Sequence, residues 1–203
     1  MRDVIRFVPI AVLLGALGCG SGTGSGSAGG SFNGVVRAQP MKPADAISSP
    51  ARVSLGPISA NVGAVVLTDV PGVCGRVTAN GEPKNGKALI LFLADFNRQT
   101  LTATVPAGPG VFDVVNPNAP GIPPLHAAVV TFGVNDAACE QIAAQSAVAT
   151  SGAVKITSMS GGAYSGTYTV GFETGEVVSG DFHATNCPGL ATYLSTPTHS
   201  CGG

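Results

Sequence analysis

Tyr164-Ser165-Gly166-Thr167-Tyr168-Thr169-Val170-Gly171-Phe172 decides the fold, because Tyr164, Tyr168, Val170 and Phe172 all fall on one parity. The other parity carries Ser165, Thr167, Thr169 and Gly171. Such a period of two describes a β-strand with one dry face and one wet face. The next apolar run behaves alike: Val178, Gly180, Phe182 and Ala184 share a face against Val177, Ser179, Asp181 and His183. Matching dry face to dry face predicts a hairpin with Phe172 opposite Val178, Val170 opposite Gly180 and Tyr168 opposite Phe182. A three-residue loop, Thr174-Gly175-Glu176, would join them, with Gly175 free to take a positive φ. Ser165-Gly166-Thr167-Tyr168 is echoed by Ser179-Gly180-Asp181-Phe182, so each strand sets a glycine two residues before an aromatic ring.

Upstream lie further short apolar runs: Val62–Thr68, Val73–Thr78, Ala88–Phe96, Leu101–Val105, Val111–Val115, His126–Val134 and Ala153–Met159. Asn80-Gly81, Asn85-Gly86 and Pro109-Gly110 punctuate them as turns. This spacing predicts an all-β chain, an antiparallel β-sandwich or barrel. The alanines, Glu140 and Ile142 of 137–147 predict one short helix.

The other end of the chain concerns location. Arg2 and Arg6 precede the apolar run Phe7–Leu17, which ends at Gly18-Cys19. Eleven apolar residues fall short of the roughly 20 that cross a bilayer and suit the core of a secretory signal. Small Ala16 and Gly18 stand at the positions a signal peptidase reads before Cys19. The junction Ala16-Leu17-Gly18-Cys19 resembles the lipobox of bacterial lipoproteins, with leucine one place late. The resemblance implies that Cys19 is acylated on its thiol and becomes the mature N-terminus. Each buried CH₂ of such chains contributes about 0.8 kcal/mol to membrane attachment. Gly20 replaces the aspartate that retains enteric lipoproteins at the inner membrane, which implies the outer membrane.

With Cys19 assigned to lipid, four of the five cysteines remain: Cys74, Cys139, Cys187 and Cys201. An even set in an oxidising compartment predicts two disulfides. Short loop closure favours Cys187–Cys201, leaving Cys74–Cys139, although closure entropy grows too slowly with length to separate the three connectivities.

The expected organisation is a signal peptide over 1–18, a Gly/Ser- then Pro-rich tether over 19–50 and a β domain over 51–203. The tether contains Gly24-Ser25-Gly26-Ser27-Ala28-Gly29, a literal G-x-G-x-x-G without the preceding strand and following helix that dinucleotide binding requires. The β segments are also similar to the C-terminal region of many uncharacterised bacterial lipoproteins. The matching residues are Gly152–Thr157, Gly166–Phe172 and Val178–Cys187. That resemblance implies a β-rich domain and no particular activity.

Chemistry is sparse. A net charge of −1 with 10% charged residues argues against a nucleic-acid partner, which needs a basic surface. His183, Cys187, His199 and Cys201 are the best metal candidate, with zinc-like donors at a spacing outside the usual finger patterns. Ser165, His183 and Asp181 could be drawn as a triad, but no G-x-S-x-G elbow holds the serine. Asp181 is better placed for a cross-strand hydrogen bond to Thr169. Glu173 and Glu176 flank a turn, not a cleft. Tyr164 and Tyr168 point inward, and Tyr193 has no evident partner. The sequence therefore predicts no catalytic residue, metal or cofactor, and a membrane partner through the lipid. The expected role is structural or binding at the cell envelope. The alternatives are a barrel carrier of an apolar ligand, and an envelope hydrolase or metal enzyme.

Overall fold

A computed structural model describes residues 29–55 and 58–202. The export segment, Cys19 and most of the glycine-rich stretch lie outside the described residues. The elements in order are β1 (Gly29–Gly30), β2 (Asp45–Leu55), β3 (Ile58–Thr68), α1 (Val73–Thr78), β4 (Gly81–Pro83), β5 (Lys87–Asn97) and β6 (Thr102–Thr104). Then come β7 (Gly110–Val114), β8 (His126–Val134), β9 (Ala147–Ser160), β10 (Ala163–Phe172), β11 (Val177–Asn186), α2 (Gly189–Ser195) and β12 (Ser200–Gly202).

Eight strands close into a barrel in the order β2-β3-β5-β8-β7-β9-β10-β11. A short parallel contact, Thr185 with Ile47 and Asn186 with Ser48, joins β11 back to β2. Every neighbouring pair is antiparallel except this one and β7 with β8. Eight strands leave an interior about as wide as the side chains that fill it. Here Leu89, Leu91 and Leu93 of β5, Phe132 of β8, Phe112 of β7, Tyr164 of β10 and Phe182 of β11 are buried there.

Half of the wall is apolar on its outer face as well. Ile47, Val62, Ala64 and Val66 point outward from β2 and β3, and Val73, Val77 and Leu190 of α1 and α2 pack on that side. Two-sided burial explains why β3 and β5 read as near-continuous apolar runs while β10 and β11 alternate.

The strands β2, β5, β9 and β11 all run toward one end of the barrel. Gly29 sits opposite His183, near the end of β11, so the chain arrives from that end and β1 runs down beside β11. Residues 31–44 then cross the far end and plug it with Phe32, Val36 and Met41. The Phe32 and Phe132 rings lie 5.7 Å apart. Arg37 Nε and Lys87 Nζ tie the plug down by donating to the carbonyls of Ser146 (2.9 Å) and Pro40 (2.8 Å).

Several sequence expectations are corrected. The β domain does not begin at residue 51: β1 and the whole first half of β2 lie before it. Pro50 disguised β2, but this strand leaves β11 after Ser48, and proline is tolerated on such an edge. Val73–Thr78 is a helix, because Val73 and Val77 are four apart and both buried, and the Asp45 carboxylate accepts from the Val73 N–H at 3.0 Å. The helix expected over 137–147 is absent. Asp136 Oδ1 accepts from the N–H groups of Ala138 (2.7 Å) and Glu140 (2.9 Å), and only Ala143–Gln145 makes a short 3₁₀ turn before β9 starts at Ala147.

The β10–β11 hairpin keeps its predicted faces but is shifted by two residues. Tyr168 pairs with Gly180, Val170 with Val178 and Gly166 with Phe182. The loop is Glu173-Thr174-Gly175, with Gly175 at φ 91° and its N–H donating to the Phe172 carbonyl at 2.9 Å. A type I turn followed by a left-handed glycine gives this three-residue connection. Each glycine thus makes room for the aromatic ring across the ladder, not for the one two residues along its own strand.

The cysteines pair as Cys74–Cys187 and Cys139–Cys201, with Cα separations of 5.7 and 5.5 Å. Both expected pairings, Cys187–Cys201 and Cys74–Cys139, are therefore overturned. The reason is α2: it follows Cys187 directly and carries the chain to β12, which pairs with β4 beside the Asp136–Glu140 turn. Cys187 is left against α1.

Candidate functional site

An opening of about 650 Å³ lies on the outer wall and not inside the barrel. Its floor is formed by Ala60, Val62, Phe92, Ala94, Ala127 and Val129 from β3, β5 and β8. These positions alternate with the inward leucines and valines. Because three of the six are alanine, the wall is shallow there and leaves space above it. Leu101 and Ala103 form one side, and the proline-rich stretch 115–124 forms the other.

That stretch has few amide donors to offer a sheet, so it stands off the wall and is pinned at intervals. Val115 N–H donates to the Ala128 carbonyl (2.9 Å), and Asn116 Oδ1 accepts from Asn118 N–H (2.9 Å). Phe96 N–H donates to the Leu125 carbonyl (2.7 Å) and Arg98 Nε to that of Pro123 (3.3 Å). Asn116 and Thr150 are the polar side chains of the lining, which contains no ionisable residue. A groove of this size and composition can bury an apolar molecule and orient it with a hydrogen bond or two. It has no group to move a proton.

Near it is an arrangement that sequence reasoning missed. His126 Nδ1 meets Asp95 Oδ1 at 2.7 Å, and Asp95 Oδ2 accepts from Ala107 N–H at 2.9 Å. The His126 ring stands edge-on to Phe112 at 5.4 Å. Asp95 and His126 face each other at the ends of β5 and β8, a pairing only the β register reveals. The pair fastens the ends of β5 and β8 to the turn before β7, and among the described residues no hydroxyl or thiol hydrogen-bonds the histidine.

A second cavity of about 310 Å³ lies between the outer wall, α1, α2 and β4. Tyr193 and His199 stack there with ring centroids 3.8 Å apart, and His199 Nδ1 bonds Asn80 Oδ1 at 2.8 Å. Tyr193 thus has a partner that the sequence did not show.

The candidates drawn from sequence do not converge. Cys187 and Cys201 belong to different disulfides, and no cluster of three or more metal-type donors occurs among the described residues. Ser165 and His183 are register partners on β10 and β11. The expected Asp181–Thr169 contact is not made: Thr167 stands opposite Asp181, whose carboxylate accepts from Ser31 Oγ at 2.8 Å. Ser31 also receives the Tyr168 hydroxyl on its carbonyl at 2.8 Å, so this set locks β1 to the barrel. Glu173 and Glu176 both face Arg37, through a 3.4 Å ion pair and a 3.0 Å backbone N–H bond.

All three tyrosines are held above the ordinary phenol range, Tyr164 and Tyr168 by burial, with the Asp181 charge adding to the effect on Tyr168. Burial and then Glu82 push Tyr193 up to about 12. An acid whose pKa rises on folding stabilises the fold below its unfolded value near ~10 and loses that contribution as pH climbs through the folded value. Phenolate absorbance should therefore stay flat through pH 10 and rise only near pH 12 or with alkaline unfolding. A step near pH 10 in still-folded protein would contradict these burials. No protein family, curated protein or solved structure matches this chain, so the chemistry of the groove rests on its own residues.

Proposed function

We propose that this is an exported protein, anchored in the cell envelope at the outer membrane through an acylated Cys19, and that it binds an apolar ligand without catalysis. The apolar groove on the outer wall carries the binding part of this reading: about 650 Å³ of space with no ionisable side chain in its lining. Two disulfides support an oxidising compartment outside the cytoplasm. The short apolar run before Gly18-Cys19, and the odd cysteine left once four have paired, support export and acylation. Residue Gly20 supports the outer membrane.

The reading differs from an internal carrier, since the barrel interior is filled by Phe112, Phe132, Tyr164 and Phe182. Titration with a fluorescent fatty acid tests it. The protein should bind the probe saturably, and Ala127→Phe, which fills the floor, should weaken binding at least about tenfold, as the loss of a ring-sized apolar site implies. The melting temperature should stay within a few degrees, because Ala127 faces outward. Failure of the native protein to bind would leave a purely structural role, and equal binding by Ala127→Phe would place the ligand outside this groove.

A further inference from the structure

Exposed large apolar side chains occur at both ends of the barrel, Val35 and Val177 at the far end and a larger group, in adjoining loops, at the end where the chain arrives. Leu101, Ile122 and Leu125 are 61%, 63% and 58% exposed. Leu101 closes the turn after β5, and Ile122 and Leu125 lie in the loop that leads into β8. Since β5 and β11 run the same way, both segments share an end with Gly29. Arg98 Nε holds the two together through the Pro123 carbonyl at 3.3 Å and adds a cation to this rim.

We propose that this rim docks on the lipid surface, with Leu101, Ile122 and Leu125 entering the apolar layer. The proposal rests on the anchor at Cys19. Only Gly20–Ala28 separate Cys19 from Gly29, a span of at most about 35 Å at full extension, so the end that bears Gly29 is kept close to the bilayer. Adjacent apolar side chains beside a cation are what an interfacial contact uses. Leu101 and Ile122 also border the groove, so its mouth opens where a lipid chain would enter.

The chain has no tryptophan, so a single introduced indole reports without background. The acylated protein carrying Leu125→Trp, or Val177→Trp at the far end, is reconstituted into vesicles of phosphatidylethanolamine and phosphatidylglycerol with brominated acyl chains. Leu125→Trp should shift its emission to the blue and be quenched at least about twofold more than Val177→Trp, as insertion of one face requires. Adding Leu101→Asp and Ile122→Asp should remove that difference while the anchor still holds the protein on the vesicles. Equal quenching at both sites, or none at Leu125→Trp in a protein shown by mass to be acylated, overturns the docking and leaves the anchor standing. A purified protein without acyl chains overturns the anchor and the docking together.

Discussion

Replacing Cys74 and Cys187 together by alanine is expected to lower the unfolding free energy by about 4–5 kcal/mol, read from urea unfolding of the oxidised proteins. The bond spans 113 residues, and closing so long a loop in the unfolded chain removes much of its entropy. A typical domain has about 5–15 kcal/mol to lose. The Cys139–Cys201 pair spans 62 residues, which entropy alone makes only about half a kcal/mol less stabilising. Packing separates the two further. Cys187 is fully buried beside Val73, Val77 and Leu190, so its loss also loosens α1 and α2 from the apolar outer wall of β2 and β3. Removal of Cys74–Cys187 should therefore be the costlier change, and a loss below about 1 kcal/mol would contradict its place in the fold.

Phe182→Ala is expected to cost about 3–5 kcal/mol, the range for truncating a fully buried ring. Phe182 lies across the ladder from Gly166, where an added Cβ would stand 2.7 Å from Phe182 Cζ and nearer still to the Lys155 carbonyl oxygen. Gly166→Ala should accordingly cost about 1–3 kcal/mol by overpacking. The double variant distinguishes the two obstacles. Because the Lys155 carbonyl belongs to the neighbouring backbone, removing the ring should relieve only part of the Gly166→Ala penalty. Full rescue would mean that the backbone yields and that the ring alone demands glycine.

Much of this fold is legible in the sequence, and the parts that are not share a cause. His126–Val134 and Tyr164–Phe172 are located within a residue because their periodicity is set by one buried face. The two-residue register shift went unseen because it preserves every face; only the turn, with Gly175 as its last residue, distinguishes the registers. Long-range contacts decided the rest. Val73–Thr78 becomes a helix because Cys74 is held by Cys187 and Val73 is capped by Asp45. The alanine-rich 137–147 does not, because Cys139 takes φ 64° and bonds Cys201. The groove was illegible for a related reason: alanines at 60, 94 and 127 look like ordinary strand residues until the barrel brings them side by side beneath the proline-rich stretch.

Mass spectrometry of the native protein, digested with and without reduction, tests the central claim most directly. The account predicts a mature chain that starts at an acylated Cys19, with one peptide pair joined through Cys74 and Cys187 and another through Cys139 and Cys201. A chain that begins at Met1, with those four thiols free, would contradict it.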